Sequence, residues 1–427
     1  MFVQSILIFN IAVAIIFTLG YLYQFVYIFV SLIYTKKYEK HNSVPEETPT
    51  HNYAVLIAAR NESNVIKHLI SSIQEQSYPQ ENITIFVIAD NCTDDTATHA
   101  KNAGAVVYER FNKDLVGKGY AIDFLLKRIF ENYPKDKFDG FFIFDADNIL
   151  DENYVSEMNK TFNKGHKIIT SYRNSKNYAD NWLSAGYSLW FLRESKYLNH
   201  VRMMLGTGCA VSGTGFLVSK DIILQNGGWP FFLLTEDIEF SIHNAISGNT
   251  IAFCKSAIFY DEQPTTFRQS WNQRLRWAKG FYQVFGKYGT SLIKTIVKKR
   301  SFYAFDMFMT ILPAMIITSV TMSINIAIII LGLIIGFDVS TIINLFLSSV
   351  LTLYILLFVF GCATVITEWK MIHCKAFFKI AYLFTFPIFM LTYIPIAITA
   401  MFKRVEWKPI SHSGVKTLND IRKDGKK

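Results

Sequence analysis

Cysteine is scarce in this chain. Its 427 residues include five cysteines, an odd number, and no two of them form a Cys-x-x-Cys pair. A fold held together by disulfides needs an even and denser set of cysteines. The scarcity therefore excludes a disulfide framework and favours a compartment in which thiols stay reduced.

Charge is absent from the first part of the chain. No Asp, Glu, Lys or Arg lies between Phe2 and Tyr34. Roughly 18 consecutive apolar residues suffice to span a bilayer, so residues 1–36 are predicted to form a transmembrane helix. A cleaved signal peptide carries basic residues before a much shorter apolar run, and neither feature is present. We therefore expect an anchor helix here.

Polar residues become scarce again near the other end of the chain. Phe302–Gly336, Val339–Ile366 and Phe377–Phe402 are each long enough to span, which predicts a transmembrane region over 301–404. With one span before the middle domain and three after it, both ends of the chain would lie outside the cytoplasm, on the side where basic residues are scarce. The tail, 405–427, is nevertheless basic. We therefore expect one of the C-terminal segments to be re-entrant or doubled, with the tail cytoplasmic.

Basic residues outnumber acidic ones, 43 to 34, and many of them flank the apolar segments. This pattern predicts an integral protein of the plasma membrane whose middle domain is cytoplasmic. It also argues against nucleic acid as a partner, because the basic groups follow membrane edges and not one face of a domain. Residues 281–300 carry several lysines and predict an amphipathic segment that contacts membrane lipid.

The middle of the chain, residues 45–280, alternates between two patterns. Short apolar runs predict strands at Tyr53–Ala59, Ile83–Ala89, Ala105–Tyr108 and Gly140–Phe144. Helical spacing of apolar residues predicts helices at Ser63–Gln76, from Thr93 to near Gly104, and at Gly119–Glu131. Such alternation predicts an α/β domain with a mostly parallel, doubly wound, Rossmann-like sheet.

Acidic residues follow three of the predicted strands. Glu62 lies after the first strand, Asp90 after the second, and Asp145-Ala146-Asp147 after the fourth. Ligands of such sheets bind beyond the carboxyl ends of the strands. Carboxylates gathered at one edge repel one another unless they hold a cation. Oxygen ligands suit Mg²⁺ or Mn²⁺, which would bridge to substrate phosphates.

Lys118 lies between two glycines at the start of a predicted helix. One interpretation is a flexible helix start. The other is a cation at a helix N-terminus that faces a diphosphate. A further glycine-containing run, residues 211–216, is either a ligand-contacting loop or a plain turn. Trp182, Trp190 and Trp229 fit a buried core better than a sugar platform.

An acidic triplet, Thr235-Glu236-Asp237, opens a predicted helix at Ile238–Ile246. Acidic residues in a first helical turn interact favourably with the helix dipole, so the triplet is equally a helix start or a proton acceptor. The later cluster Gln273-x-x-Arg276-Trp277 favours the second interpretation. Arg clamps a diphosphate, Gln hydrogen-bonds it, and Trp offers a flat face to a sugar. The alternative for this cluster is a basic interfacial helix.

Taken together and in this order, these motifs resemble those of the processive family 2 glycosyltransferases, the group of cellulose, hyaluronan and poly-N-acetylglucosamine synthases. The resemblance implies a GT-A fold, a UDP-sugar donor and a glycan or lipid-linked acceptor. It also implies the following roles: Glu62, Asp90, Lys118, Asp145, Gln273 and Arg276 bind the donor, Asp147 holds the metal, Thr235, Glu236 and Trp277 bind the acceptor, and Asp237 is the catalytic base. The run Glu406-Trp407-Lys408-Pro409 is similar to a juxtamembrane element of some relatives.

The resemblance implies inverting transfer of a sugar onto a growing β-linked polysaccharide, coupled to export through the protein's own helices. The alternative is an enzyme that adds one or a few sugars to a lipid acceptor. A third hypothesis is a transporter or scaffold with a degenerate transferase domain, and the intact acidic motifs argue against it.

Overall fold

A computed structural model describes residues 2–41, 48–311, 313–336, 338–407, 414 and 416–424. Its central feature is an eight-stranded sheet. The strands, in chain order, are β1 (Tyr53–Ala59), β2 (Ile83–Asp90), β3 (Val106–Arg110), β4 (Gly140–Asp145), β5 (Ile149–Leu150), β6 (Ile168–Ser175), β7 (Phe216–Ser219) and β8 (Ala252–Asp261).

The sheet order is β3-β2-β1-β4-β7-β6-β8-β5. Strands β3, β2, β1 and β4 run parallel to one another, as do β6 and β8. Strand β7 is antiparallel to both of its neighbours, and β5 is antiparallel to β8. The predicted mostly parallel α/β sheet is thus confirmed. The carboxyl ends of β1, β2 and β4 meet at one edge.

Helices cover both faces of this sheet. They are α2 (Ile66–Gln74), α3 (Thr96–Asn102), α4 (Lys118–Asn132), α5 (Tyr154–Phe162), α6 (Trp182–Arg193), α7 (His200–Met204), α8 (Lys220–Gln225) and α9 (Glu236–Ser247), with a π-helical turn at Glu194–Asn199 between α6 and α7. Along β1, Val55 and Ile57 enter one core while Ala54 and Leu56 enter the other. Because both faces of the sheet are buried, the amino-acid sequences of the strands are nearly continuous apolar runs.

Long helices make up the rest of the chain. They are α1 (Phe2–His41), α10 (Phe267–Lys299), α11 (Phe302–Ile311), α12 (Pro313–Ile335), α13 (Val339–Thr367), α14 (Ala376–Leu391) and α15 (Tyr393–Phe402), followed by the short α16 (Leu418–Asp424). Four stretches of the described helices have the length and composition to cross a membrane: Thr18–Lys40, Phe302–Gly332, Phe346–Thr367 and Ala376–Phe402.

The last of these stretches is not one helix. Helix α14 ends at Leu391, Thr392 follows it, and α15 begins at Tyr393. Pro395 contributes to this break because it has no N–H for the carbonyl four residues earlier, that of Leu391. The predicted segment Phe377–Phe402 is therefore two helices. Residues 281–300, predicted as a separate segment, form the second part of α10.

Two segments return to the α/β domain, one between α13 and α14 and one after α15. Glu368, which follows α13, accepts a hydrogen bond from the Tyr172 hydroxyl of β6. In α16, Ile421 is buried in a cluster with Ile149 and Tyr260. The Arg422 side chain donates to Asp151 and Glu152 at 3.0 and 2.8 Å. Within the predicted tail 405–427, residues 408–413, 415 and 425–427 lie outside the described residues.

The N-terminal helix is tied to the rest by one buried cluster. The hydroxyls of Tyr23 and Tyr27 in α1 each donate to the carboxylate of Asp306 at 2.9 Å. Arg202 of α7 donates to the same carboxylate at 2.7 Å, and both members of this ion pair are fully buried. Helices α1, α7 and α11 therefore share one polar contact inside an apolar setting.

Candidate active site

Two sharp turns place the first two acidic residues at the sheet edge. Asn61 after β1 and Asn91 after β2 both have positive φ, 57° and 54°, a conformation that asparagine tolerates better than most residues. The Asn61 side chain accepts the Thr93 N–H at 2.8 Å. Each turn therefore ends its strand abruptly. Glu62 and Asp90 lie at the edge of the sheet where the parallel strands have their carboxyl ends.

Asp90 is held in place by Arg110 at the end of β3. The two side chains form an ion pair in which both are 7% exposed. Arg110 also donates to the Leu115 carbonyl at 2.6 Å, so its guanidinium is fixed from two sides. A charge-assisted contact of this kind orients the Asp90 carboxylate without leaving a buried charge unpaired.

Lys118 and Asp145 form a second ion pair across the edge. The Lys118 ammonium donates to the Asp145 carboxylate at 2.5 Å and to the Gly213 carbonyl at 2.7 Å. Asp145 ends β4, and its N–H donates to the Thr214 hydroxyl at 2.8 Å. The run that contains Gly213 and Thr214 thus forms a wall of the site. Lys118, the first residue of α4, points its charge into that wall.

Asp147 is buried just beyond Asp145 and accepts the Glu262 N–H at 2.8 Å. No group of three or more His, Cys, Asp or Glu side chains that could hold a metal occurs among the residues that the structure describes. Magnesium-type sites on nucleotides need only one or two carboxylates, because substrate phosphates supply further oxygens. Asp147 is a carboxylate of the kind that such a site would use, and Asp145 lies two residues before it.

The acidic triplet begins helix α9, which starts at Glu236. Thr235 lies against Gly280 of α10, and a Cβ at Gly280 would be 2.4 Å from the Thr235 hydroxyl. A glycine is therefore required for α10 to approach the triplet this closely. The approach brings the charges of α10 next to Glu236 and Asp237.

Both carboxyl groups of the triplet hold their protons more tightly than usual. Burial, reinforced by the neighbouring Asp237, raises the pKa of Glu236 to about 7. Burial also raises the pKa of Asp237. The positive charges of Lys118 and Arg276 oppose both shifts. A carboxylate with a raised pKa next to two cations can accept a proton near neutral pH.

Helix α10 supplies the other side of the site. The Arg276 guanidinium donates to the Leu234 carbonyl at 3.0 Å, just before the triplet. The Trp277 ring lies edge-on to Tyr187 at 5.8 Å and to Phe191 at 6.2 Å. Gln273 and Arg276 are one turn apart, so both project towards the same space. Trp277 presents an aromatic wall beside them.

A single cavity of about 520 Å³ joins these groups. Every predicted site residue lines it: Glu62, Asp90, Lys118, Asp145, Asp147, Thr235, Glu236, Asp237, Gln273, Arg276 and Trp277. The cavity continues between the apolar helices, where it is lined by Thr310, Thr318, Ser319, Leu353, Leu357, Met390, Leu391, Tyr393, Ile394 and Ala397. The sheet edge and the apolar region thus share one space.

Several cavity residues carry no motif in the sequence. They are Arg60, Arg173, Glu194, Asp261 and Glu262, together with Trp190, which the sequence placed in the core. Arg173 pairs with Asp261 and lies 3.5 Å above the Phe191 ring. Trp229 is fully buried, as predicted. The sequence could have indicated Asp261 and Glu262 as site residues, because they lie at the end of β8, directly after an apolar run.

The run that contains Trp407 also reaches the cavity. The Trp407 ring lies 5.1 Å from the Arg60 guanidinium carbon, and it lines the same cavity as Glu62 and Asp90. Further along, the Gly414 N–H donates to the Glu262 carboxylate at 3.0 Å. Lys408 and Pro409 of the same run lie outside the described residues. The C-terminal segment therefore contacts the cavity wall at two places.

The α/β region that carries this cavity is similar in sequence to a known protein family. A family model described as glycosyltransferase like family 2 matches residues 49–280, more than half of the chain. The chain therefore belongs to that family.

Curated relatives are similar at a lower level of identity. The chain is 27% identical over 278 residues to the probable glycosyltransferase YdaM of Bacillus subtilis, which covers 60% of each protein. It is 26% identical over 267 residues to a poly-beta-1,6-N-acetyl-D-glucosamine synthase of Staphylococcus epidermidis, covering 60% of this chain and 61% of that protein. It is 25% identical over 287 residues to a beta-monoglucosyldiacylglycerol synthase of Nostoc sp., covering 64% and 58%. The match thus spans about three fifths of the length of these relatives.

One solved structure is similar over almost the whole chain. The mannosyltransferase PcManGT from Pyrobaculum calidifontis, solved with GDP-Man and Mn²⁺, has a TM-score of 0.56 at 14% sequence identity. The similarity covers 92% of this chain and 98% of that one. At this identity the likeness concerns the fold, and it confirms a GT-A-like α/β domain joined to apolar helices.

Proposed function

We propose that this protein transfers a sugar from a UDP-sugar, with inversion, onto a growing β-linked glycan at the membrane. The observation that carries the proposal is the single cavity. Asp237 lines it together with Lys118 and Arg276, whose charges both act on Asp237, and the cavity runs from the strand ends into the apolar helices. Membership of glycosyltransferase family 2 supports the reaction class.

The donor would occupy the strand-end half of the cavity. Glu62 and Asp90 would bind the nucleoside, and Asp145 would contact the nucleotide. Lys118, Gln273 and Arg276 would bind the diphosphate. Asp147 would hold Mg²⁺ or Mn²⁺ on that diphosphate, where the ion would neutralise charge on the leaving group.

The residues of this chain account for the chemical step. The Asp237 carboxylate takes the proton of the acceptor hydroxyl while the hydroxyl oxygen bonds to the anomeric carbon of the donor sugar. The bond between that carbon and the diphosphate breaks, and the electron pair leaves with the diphosphate. One displacement at an α-linked donor gives a β-glycoside. The charges of Lys118 and Arg276 are already in place for the leaving anion.

The acceptor end would lie against Trp277. An indole face binds a sugar ring well, and Trp190 and Phe191 extend the aromatic wall. The cavity continues from this wall between the apolar helices, which offers a path for a product that leaves through the protein. The similarity to a poly-beta-1,6-N-acetyl-D-glucosamine synthase agrees with a polymer product.

A second candidate, transfer of one or a few sugars to a lipid, is favoured by a specific observation. The membrane-side half of the cavity is lined largely by aliphatic side chains, among them Leu353, Leu357 and Ile394. Such walls suit an acyl chain better than a hydrated glycan. A relative named beta-monoglucosyldiacylglycerol synthase agrees with this candidate.

One experiment tests the proposal and separates the candidates. The full chain is reconstituted in lipid with a panel of radiolabelled nucleotide sugars, and nucleotide release, product size and product solubility in chloroform are measured. A long, water-soluble product from one UDP-sugar supports the polymer. A chloroform-soluble product bearing one or a few sugars supports the lipid acceptor and overturns the polymer. No nucleotide release with any donor overturns sugar transfer and revives the scaffold hypothesis.

We also propose that the protein is integral to the plasma membrane, with a cytoplasmic catalytic domain at 45–280. The boundaries 1–36, 281–300, 301–404 and 405–427 stay predictions. The contacts of Glu368 and of α16 with the α/β domain support a path in which α14 and α15 enter and leave the membrane on the same side. This path agrees with the expected re-entrant segment.

A further inference from the structure

Arg274 lies within the Gln273–Trp277 cluster but does not line the cavity. Its side chain is fully buried. The partners of its guanidinium are neutral: the Ser270 carbonyl at 3.4 Å, the Phe389 carbonyl at 3.0 Å and the Thr392 hydroxyl at 2.6 Å. A buried charge is costly, so contacts that compensate for it have to be specific.

Two of those three contacts, to Phe389 and Thr392, are at the break between α14 and α15. Carbonyls in the last turn of a helix have no main-chain donor within that helix, and Phe389 is in the last turn of α14. Its carbonyl accepts from Arg274 and also from the Thr392 hydroxyl at 2.6 Å. The rings of Phe389 and Tyr393 lie 4.4 and 5.1 Å from the guanidinium carbon, within cation–π distance. Arg274 therefore stabilises the break from both sides.

The same guanidinium has an unused donor. Its second terminal nitrogen, Nη2, is buried and has no hydrogen-bond partner within the described part of the chain. A residue that only filled a hydrophobic core would not bring an unsatisfied donor with it. The buried charge and the unpaired donor of Arg274 therefore have a cost in stability.

Both elements that Arg274 joins face the cavity. On α10, its neighbours Gln273, Arg276 and Trp277 line the cavity. At the break, Met390, Leu391 and Tyr393 line the same cavity further into the apolar helices. Arg274 thus directly connects the helix that would bind the diphosphate to the wall along which an acceptor would reach Asp237.

We propose that Arg274 is a positioning residue for the acceptor, and this inference rests on the proposed function. It keeps α14 and α15 broken at Thr392, so that the wall formed by the break faces Trp277 and Asp237. The donor lies at the strand ends, on the other side of the cavity. Loss of Arg274 therefore impairs use of the acceptor more than turnover of the donor.

The test compares two reactions of the same reconstituted protein. Sugar transferred to product and nucleotide released without transfer are measured in parallel for Arg274→Met, Arg274→Lys and Thr392→Val. Arg274→Met is expected to lower the ratio of transfer to unproductive release by about tenfold or more, because small misplacements of a reactant are expensive. Thr392→Val is expected to lower the ratio less, since it removes only part of the network.

Rescue by the conservative variant separates positioning from simple loss of folding. Arg274→Lys keeps the charge but loses the fork, so it is expected to restore part of the ratio. Lys294→Met is the matched control, because it removes a positive charge from an exposed position of the same helix. The ratio in that variant is expected to equal the ratio in the unaltered chain.

Two results overturn the inference. One is an equal fall of transfer and of unproductive release in the Arg274 variants, which indicates a general structural role. The other is a native rate of both transfer and unproductive release in Arg274→Met, which indicates that the residue has no role in either. If Arg274→Met does not fold, the ratio of transfer to unproductive release is measured in Arg274→Lys and Thr392→Val instead. A lowered ratio in them supports the inference, and an unchanged ratio overturns it. Failure of the proposed function is distinguishable, because the unaltered chain would then release no nucleotide.

Discussion

The two ends of the cavity are built on different principles. At the strand ends, two of the carboxylates have a basic partner: Asp90 has Arg110, and Asp145 has Lys118. At the membrane end, the walls are mostly aliphatic and aromatic side chains of α13, α14 and α15, with the hydroxyls of Thr318 and Ser319 from α12. The first end can recognise a charged ligand by its charge, whereas the second offers mainly shape and a few hydroxyl groups. This difference agrees with one binding site for a nucleotide and another for a growing chain or a lipid.

Asp237 lies where the two ends meet, so its replacement is expected to have the largest effect. In Asp237→Asn, sugar transfer should fall by about 10³-fold, because an amide cannot take the proton of the acceptor hydroxyl. Binding of the donor nucleotide, measured by calorimetry, should change by no more than about twofold, since the donor contacts lie elsewhere. Transfer that persists in this variant would show that another group is the base.

Asp147 tests the donor end alone. Asp147→Asn, or removal of divalent metal with a chelator, is expected to lower transfer by about 10²-fold, because the charge of the leaving diphosphate would be less well neutralised. Added Mn²⁺ or Mg²⁺ should restore the chelated native chain but not the variant. The control is Asp136→Asn, which alters a carboxylate that is 92% exposed. Full activity of the native chain in excess chelator would contradict the metal assignment.

Gly280 tests the contact that joins the two ends. In Gly280→Ala, the new methyl group would lie within 3 Å of three atoms of Thr235, so α10 has to move away from the triplet. Transfer is expected to fall by about tenfold, read from initial rates.

Gly286 of the same helix supplies the control, because a Cβ there would meet nothing within 4 Å. Gly286→Ala is expected to leave transfer unchanged and to raise the free energy of unfolding by about 0.5–1 kcal/mol, as alanine favours a helix. Equal activities of the two variants would show that the close approach of α10 is not needed.

The smallest expected effect concerns pH. Burial raises the pKa of Asp237, and it raises the pKa of Glu236 to about 7, so transfer should rise with pH on the acidic side as Asp237 loses its proton. Glu236→Gln removes one negative charge next to Asp237, which favours ionisation of the remaining carboxyl. The acidic limb of the rate profile is then expected to move to lower pH by about one unit. A shift to higher pH would contradict the coupling.

The donor end was the easier part to predict from the sequence. Strand β1 has the predicted bounds, and β2 and β4 each extend one residue further than predicted, to Asp90 and Asp145. Parallel strands end at one edge, so a local rule was enough to bring their acids together. The antiparallel strand β7 was not predicted, and only its first residue, Phe216, belongs to the run 211–216 that the sequence left as a ligand loop or a turn.

The membrane end could not be predicted in the same way. Arg274 is in the sequence cluster, but its partners Phe389 and Thr392 are more than a hundred residues away. Asp261 and Arg173 likewise meet only because β6 and β8 pair. Pairings between distant segments depend on tertiary packing, and no local periodicity reports them. The sequence did indicate an irregular C-terminal segment. The indications were the number of predicted spans, which conflicts with the basic tail, and the prolines of that segment.

The contacts of α1 with Asp306 have a consequence for the smallest unit that can fold by itself. Without α1, the buried pair of Arg202 and Asp306 would lose the hydroxyls of Tyr23 and Tyr27. Hydrogen bonds to a charged group contribute about 1.5–3 kcal/mol each, which is a large share of the stability of a typical domain. The N-terminal helix is therefore part of the cooperative fold, and a shortened chain that begins after it is expected to be poorly folded even in detergent.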